Sequence, residues 1–192
     1  EVIARKLFDI ETEILACQSS HALLKQLLTS IKQKFELYDI RLLMVEPTPI
    51  SYLLSSDFQS PWHQQNTRKI PALQLSKLHP NNKPFLTNKV AQLSSLLPSN
   101  IGNEAKSFAL TPISLEGKLF GSLLFIDSDQ NRYHSELGTF HLEQLAVKLS
   151  LCLSNVLIRE QLEYMAHYDR LTGVANRRLM EVCIEEELIR QK

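Results

Sequence analysis

Ser107–Ser114 reads SFALTPIS and Lys118–Asp127 reads KLFGSLLFID, and these two runs decide the fold of the chain. Both are dense in apolar residues, and the turn residues Glu116 and Gly117 lie between them, so the pair reads as a β-hairpin. Gly121 interrupts the second run, which predicts a bulge or a close approach of backbone. After a polar link, a long helix is expected from near Ser135 to about Ala166. Immediately upstream of the hairpin, Pro84–Thr87 reads as a brief strand and Val90–Leu97 as a short helix stopped by Pro98.

Further upstream the signals are mostly helical. In residues 1–17, Ile3, Leu7, Ile10, Ile14 and Cys17 alternate by four and three, the narrow seam of a helix that packs on another helix. Ser19 or Ser20 offers an N-cap for a second helix, whose Leu23, Leu24, Leu27, Leu28, Ile31 and Phe35 form a wide face suited to lie on a sheet. Tyr38–Glu46 (YDIRLLMVE) reads as a strand ended by Pro47 and Pro49, and Ile50–Leu54 as a second strand completing a hairpin. Residues 55–83 carry Pro61, Pro71 and Pro80 and are expected to form a long crossing loop with one or two helical turns. The element order describes an α+β fold: an antiparallel sheet of about five or six strands flanked by helices, with a long C-terminal helix.

Lys plus Arg and Asp plus Glu both number 21, so the formal net charge is zero and no basic field exists for nucleic acid. Cys17, Cys152 and Cys183 are scattered, which fits reduced thiols packed as small hydrophobes in a cytoplasmic protein. The six histidines are equally dispersed, so no metal site is expected. The first residues do not read as a signal peptide and no stretch has the length of a membrane span, so no membrane contact is expected.

The long helix carries two stripes. Leu142, Leu145, Ala146, Leu149, Leu153 and Val156 suit the domain's own core. Leu151, Asn155, Ile158, Leu162 and Met165 step by four, three, four and three, and this seam continues past the end of the globular region. Its simplest partner is the same helix of a second copy, in a parallel coiled coil with Asn155 setting the register. The alternative is one broad buried face with Asn155 at its edge.

Asp169–Arg178 reads DRLTGVANRR. The string resembles the opening signature of the GGDEF (diguanylate cyclase) family, Asp-x-Leu-Thr-Gly-Leu-x-Asn-Arg-Arg, with Val174 in place of the usual Leu. Gly173 suits a tight turn and Asn176 suits the cap of the next helix. Residues 107–156 also resemble a GAF-like family, the proteobacterial domain-of-unknown-function 484 family. The likeness is carried by Pro112, Gly121–Leu124, Tyr133 and Leu137–Thr139 in that order.

The first resemblance implies that the whole protein condenses two GTP, with Mg2+, into cyclic di-GMP across a dimer. The GGDEF hairpin and its metal carboxylates would then lie beyond Lys192. This stretch is accordingly expected to hold no catalytic residue and no cofactor. Asp169, Leu171, Thr172, Gly173, Asn176, Arg177 and Arg178 are expected to be structural. The second resemblance implies a small ligand held between the sheet and the crossing loop, where Arg41, Trp62, His63, Arg68 and His79 are the candidates. The plainer reading makes Trp62 a loop anchor and the charges solvated. No cysteine stands where a covalent tetrapyrrole would attach.

The expected organisation is an N-terminal helix (1–18), a GAF-like sensory domain (19–156), a coiled-coil linker (157–168) and the start of a GGDEF domain (169–192). The expected partners are a second copy, bound through the N- and C-terminal helices, and an unidentified small molecule. Two further readings stay open. One is a purely structural dimeriser, and the other is the input region of an inactive GGDEF protein that only binds cyclic di-GMP.

Overall fold

The computed structural model describes residues 2–46, 60–93, 95–97, 101, 104–169 and 172–190, with backbone alone for Arg178 and Val182. The helices are α1 (Val2–Leu15), α2 (Ser20–Lys34), α3 (Pro61–Asn66), α4 (Ala72–Leu78), α5 (Phe140–His167) and α6 (Arg177–Arg190). The strands are β1 (Asp39–Glu46), β2 (Thr67–Pro71), β3 (Phe85–Thr87), β4 (Ser107–Leu115) and β5 (Lys118–Asp127). They form one five-stranded sheet in the order β2-β1-β5-β4-β3.

The β4–β5 hairpin forms where its sequence predicts. Glu116 and Gly117 have φ of +50° and +75°, the left-handed pair that a two-residue turn needs to follow the twist of its strands. Ile113 faces Gly121 while Ser114 faces Leu119, so Phe120 is an extra residue in β5 and makes a bulge. Gly121 also shows the expected close approach: the Leu43 carbonyl of β1 occupies the space that its Cβ would need.

The sheet is mixed rather than wholly antiparallel. β1 runs antiparallel to β5 but parallel to β2, with Leu42 beside Thr67. Parallel neighbours require a long crossover, and the chain between Glu46 and Thr67 supplies it, with α3 inside. Strand β2 therefore replaces part of the expected loop, while the expected strand Ile50–Leu54 lies outside the described residues. The helix expected over Val90–Leu97 is a 3₁₀ turn at Val90–Gln92 followed by further turns, through which Leu93 and Leu96 reach the core. Helix α5 begins at Phe140, after Gly138 and Thr139, rather than near Ser135.

Apolar layers cover both faces. On the helical face, Leu23, Leu24, Leu27 and Ile31 of α2 pack with Leu42 of β1 and Leu149 and Leu153 of α5. Ser19 caps α2 by accepting from the Ala22 amide at 3.1 Å, and Lys32 and Lys34 stand in its last turn, where cations are favoured. The seam of α1 finds its partner within the chain. Ile10 and Ile14 are buried, and α1 lies along α2 and α5, running parallel to α5 with Glu11 paired to Lys148 and Gln18 bonded to Arg159. Glu160 of α5 reaches the first turn of α2, where its Oε1 accepts from the Ser20 amide at 2.7 Å and the Ser20 hydroxyl at 3.1 Å. On the opposite face, Leu43, Ile70, Leu75, Phe108, Leu110 and Leu124 make a second cluster. Cys17 and Cys152 pack as expected and burial raises both thiol pKa values, whereas Cys183 is exposed.

Candidate functional site

The five residues expected to surround a ligand fall into two groups. Along β1, Ile40, Leu42 and Met44 face the helices, while Leu43 and Val45 face away. Arg41 alternates onto the far face with Leu43. Its Nε lies 2.6 Å from Asp39, a buried carboxylate that also holds Lys32 at 2.9 Å, and it donates to the Gln65 carbonyl as well. Arg68 shares the far face with Ile70 of β2 and donates to the Leu97 carbonyl at 3.2 Å. Trp62 instead packs against the helical-face cluster. His63 is fully buried, its ring 4.9 Å from that of Trp62 and 4.4 Å from that of His21 in α2. Arg41 and Arg68 are thus on one side of the sheet, and Trp62 and His63 are turned toward α2.

His79 belongs to the far face. Its Nδ1 lies 2.8 Å from the Lys83 carbonyl, so Nδ1 carries the hydrogen, and Nε2 lies 2.9 Å from the Ser122 hydroxyl. Burial holds its pKa below the ordinary 6.5, which keeps the ring neutral with Nε2 accepting from Ser122. Below pH 6.5 the unfolded chain takes up a proton that the folded chain excludes, so acidification destabilises the fold, and the loss levels off once pH passes below the folded pKa. The urea midpoint should fall between pH 7.5 and 5.5, and less steeply in His79→Gln. Equal slopes for the two proteins would disprove this role.

The second stripe of α5 is open to solvent. Leu151 is 61%, Ile158 49%, Leu162 58% and Met165 36% exposed, with Asn155 also exposed among them. Two further exposed apolar residues, Phe140 and Val147, lie seven apart and beside this seam, with Val147 four residues before Leu151. Their spacing was visible, but they precede Leu151 within the part of the helix assigned to the domain core. Phe8 and Leu15 of α1 are exposed too. They lie on either side of Glu11, three and four residues away, and Leu151 lies three residues beyond its ion partner Lys148. The apolar strips of α1 and α5 therefore border one two-helix surface.

The turn between α5 and α6 is built by the signature string. Asp169 Oδ1 accepts from the amide and the hydroxyl of Thr172, both at 3.0 Å. Gly173 has φ +67° and donates to the Asp169 carbonyl at 2.8 Å. Asn176 clamps both helices: its amide donates to the His167 carbonyl, its Nδ2 to the Ala166 carbonyl, and its Oδ1 accepts from the Leu179 amide at the start of α6. Arg177 pairs with Glu181 on the surface. Leu171 and the Arg178 side chain lie outside the described residues. Among the described residues no group of three His, Cys, Asp or Glu side chains converges as a metal site would, and no helix is long and apolar enough to cross a membrane.

Among solved structures, the GAF domain of the Acinetobacter phosphoenolpyruvate-protein phosphotransferase superposes with a TM-score of 0.53 at 13% identity, over 85% of this chain and 97% of that one. The corresponding GAF domain from Coxiella burnetii gives 0.50 at 13% identity, over 84% and 95%. The fold is GAF-like. Free methionine-R-sulfoxide reductase from Neisseria meningitidis, solved with its substrate, superposes at 0.54 and 12% identity, over 82% and 90%. An enzyme and two phosphotransferase domains thus share this GAF-like architecture, so the fold alone assigns no activity. No family model matches the sequence, and no curated protein matches it either.

Proposed function

We propose that this chain is the GAF-like input region of a GGDEF-type diguanylate cyclase, one that pairs with a second copy through α1 and α5 and sets the spacing of two GTP-binding output domains. The observation that carries the reading is the turn at 169–176. Asp169, Thr172, Gly173 and Asn176, four residues of the signature string, make bonds or adopt backbone angles that help join α5 to α6. A stiff joint at that position fits a device that passes helix geometry to an output domain. The exposed strips on α1 and α5 fit a homodimer, and cyclase chemistry needs one because each GTP must meet the other in register. In this reading the Mg2+-dependent chemistry belongs to a domain following this region, as the resemblance of 169–178 implies.

A second reading, a structural dimeriser without a ligand, is favoured by one observation. Apolar side chains such as Leu43, Phe108 and Leu124 fill the sheet face on which Arg41, Arg68 and His79 stand. The decisive experiment expresses the gene product with whatever follows Lys192, incubates it with GTP and Mg2+, and measures cyclic di-GMP. Synthesis is expected. A product that contains no GGDEF hairpin would end the cyclase proposal, and one that binds cyclic di-GMP without making it would reduce the reading to a receptor.

A further inference from the structure

The helix layer does not close over the sheet everywhere. Between the amino-terminal half of α1 and the start of α5 there is a cavity of about 300 Å3. Leu7 of α1 and Leu142 and Leu145 of α5 form its helical wall, and Phe125 and Leu86 form its floor. At roughly 30 Å3 for each water-sized group, it has room for about ten non-hydrogen atoms, the small end of the range for ligand sites. It lies on the opposite side of the sheet from Arg41, Arg68 and His79.

The polar groups of the cavity are hydrogen-bond donors gathered on the segment that leads into α5. Arg132 gives one N–H to Asp127 at 2.8 Å and another to the Phe35 carbonyl. A guanidinium carries five N–H groups, more than these two bonds and its hydrogen bond to the Tyr133 side chain use. Asp127 is only 5% exposed, and its other oxygen is engaged by the Asp129 amide at 2.9 Å. Burial pushes the Tyr133 hydroxyl up to about 12, so it stays a protonated donor. His141 stands exposed at the rim, and Lys6 sits 5.4 Å from the centre of the Phe35 ring in the wall. Among the described residues the lining holds no carboxylate. An apolar chamber with a donor-rich edge, to which Lys6 adds a nearby cation beyond the Arg132–Asp127 pair, is complementary to an amphipathic anion.

We propose that this cavity binds a small amphipathic carboxylate with an apolar body of about seven carbons, the tail against Phe125 and Leu145 and the head at Arg132. The site does not depend on whether a cyclase domain follows. Its occupant lies between α1 and α5, the two helices that carry the exposed strips.

Calorimetric titration of the chain with sodium octanoate and with 1-octanol tests this. Octanoate is expected to bind once per chain, about tenfold more tightly than octanol, the worth of one charge-assisted hydrogen bond. Gly138 lines the cavity, and a Cβ built on it meets nothing within 4 Å. Gly138→Phe should therefore fill the entrance without disturbing the fold and weaken octanoate at least about tenfold. Arg132→Gln keeps a donor toward Asp127 and should bring the two affinities together. No saturable octanoate binding would overturn the proposal, and equal affinity for octanol would overturn its anionic head. Undiminished binding to a folded Gly138→Phe chain would place the ligand elsewhere. Binding that appears only when Ile158→Glu and Leu162→Glu separate the copies would give the cavity to the partner chain and equally refute it. Sedimentation reads the dimer separately, so failure of this site is distinguishable from failure of the pairing.

Discussion

Gly121→Val is expected to remove a large part of the chain's stability. The glycine sits in the middle of the sheet, between Ile113 of β4 and Met44 of β1. A Cβ there would lie closer to the Leu43 carbonyl than real Cβ atoms come to any heavy atom. The obstacle is backbone of a central strand, so no rotamer change relieves it, and moving β1 would open both apolar layers at once. Overpacking of this kind costs roughly 3 kcal/mol or more, against a total stability of about 5–15 kcal/mol for a domain. Gly138→Ala serves as the control, since its Cβ enters open space. Circular dichroism with urea denaturation checks both, and a Gly121→Val midpoint close to that of the unaltered chain would show that β1 and β5 do not approach as described.

The second large effect concerns association. Ile158→Glu with Leu162→Glu is expected to convert a dimer into a folded monomer. Both side chains are about half exposed or more, so a charge at either position costs the isolated chain little. In a symmetric pair each change is counted twice. Burying an Ile or Leu side chain stabilises by about 1.5–3 kcal/mol, so losing four partly buried ones should weaken association roughly a thousandfold or more. Sedimentation equilibrium reads the state directly. An unaltered chain that remains monomeric at high micromolar concentration would refute pairing through the strips on α1 and α5.

Legibility along the chain followed the locality of the forces. The β4–β5 hairpin, the bulge beside Gly121 and the capped helix α2 were all readable, because turn chemistry, apolar density and a capping serine are local signals. Strand β2 was not. Thr67–Pro71 has one buried residue, Ile70, and two charged ones, and it becomes a strand only because the edge of β1 is available to it. The direction of that pairing is likewise invisible locally, since it depends on where the crossover carries the chain. The α1 seam was legible as a seam, but not the identity of its partner, because heptad spacing is the same whether the facing helix belongs to one chain or two. The five candidate ligand residues share suitable chemistry, but strand alternation puts Arg41 and Arg68 on one side of the sheet while Trp62 turns toward α2. The cavity at Arg132 is invisible in the sequence because its walls come from α1, the sheet and α5, which meet only in three dimensions.

The carboxylate of Glu160 at the mouth of α2 has a mechanical consequence. Sliding the long helix along its own axis by a single turn, about 5.4 Å, would carry that group out of reach of both the Ser20 amide and its hydroxyl. A pivot about the same point leaves both bonds in place. The contact thus ties the long helix to α2 in a way that opposes axial sliding more than a small tilt about residue 160.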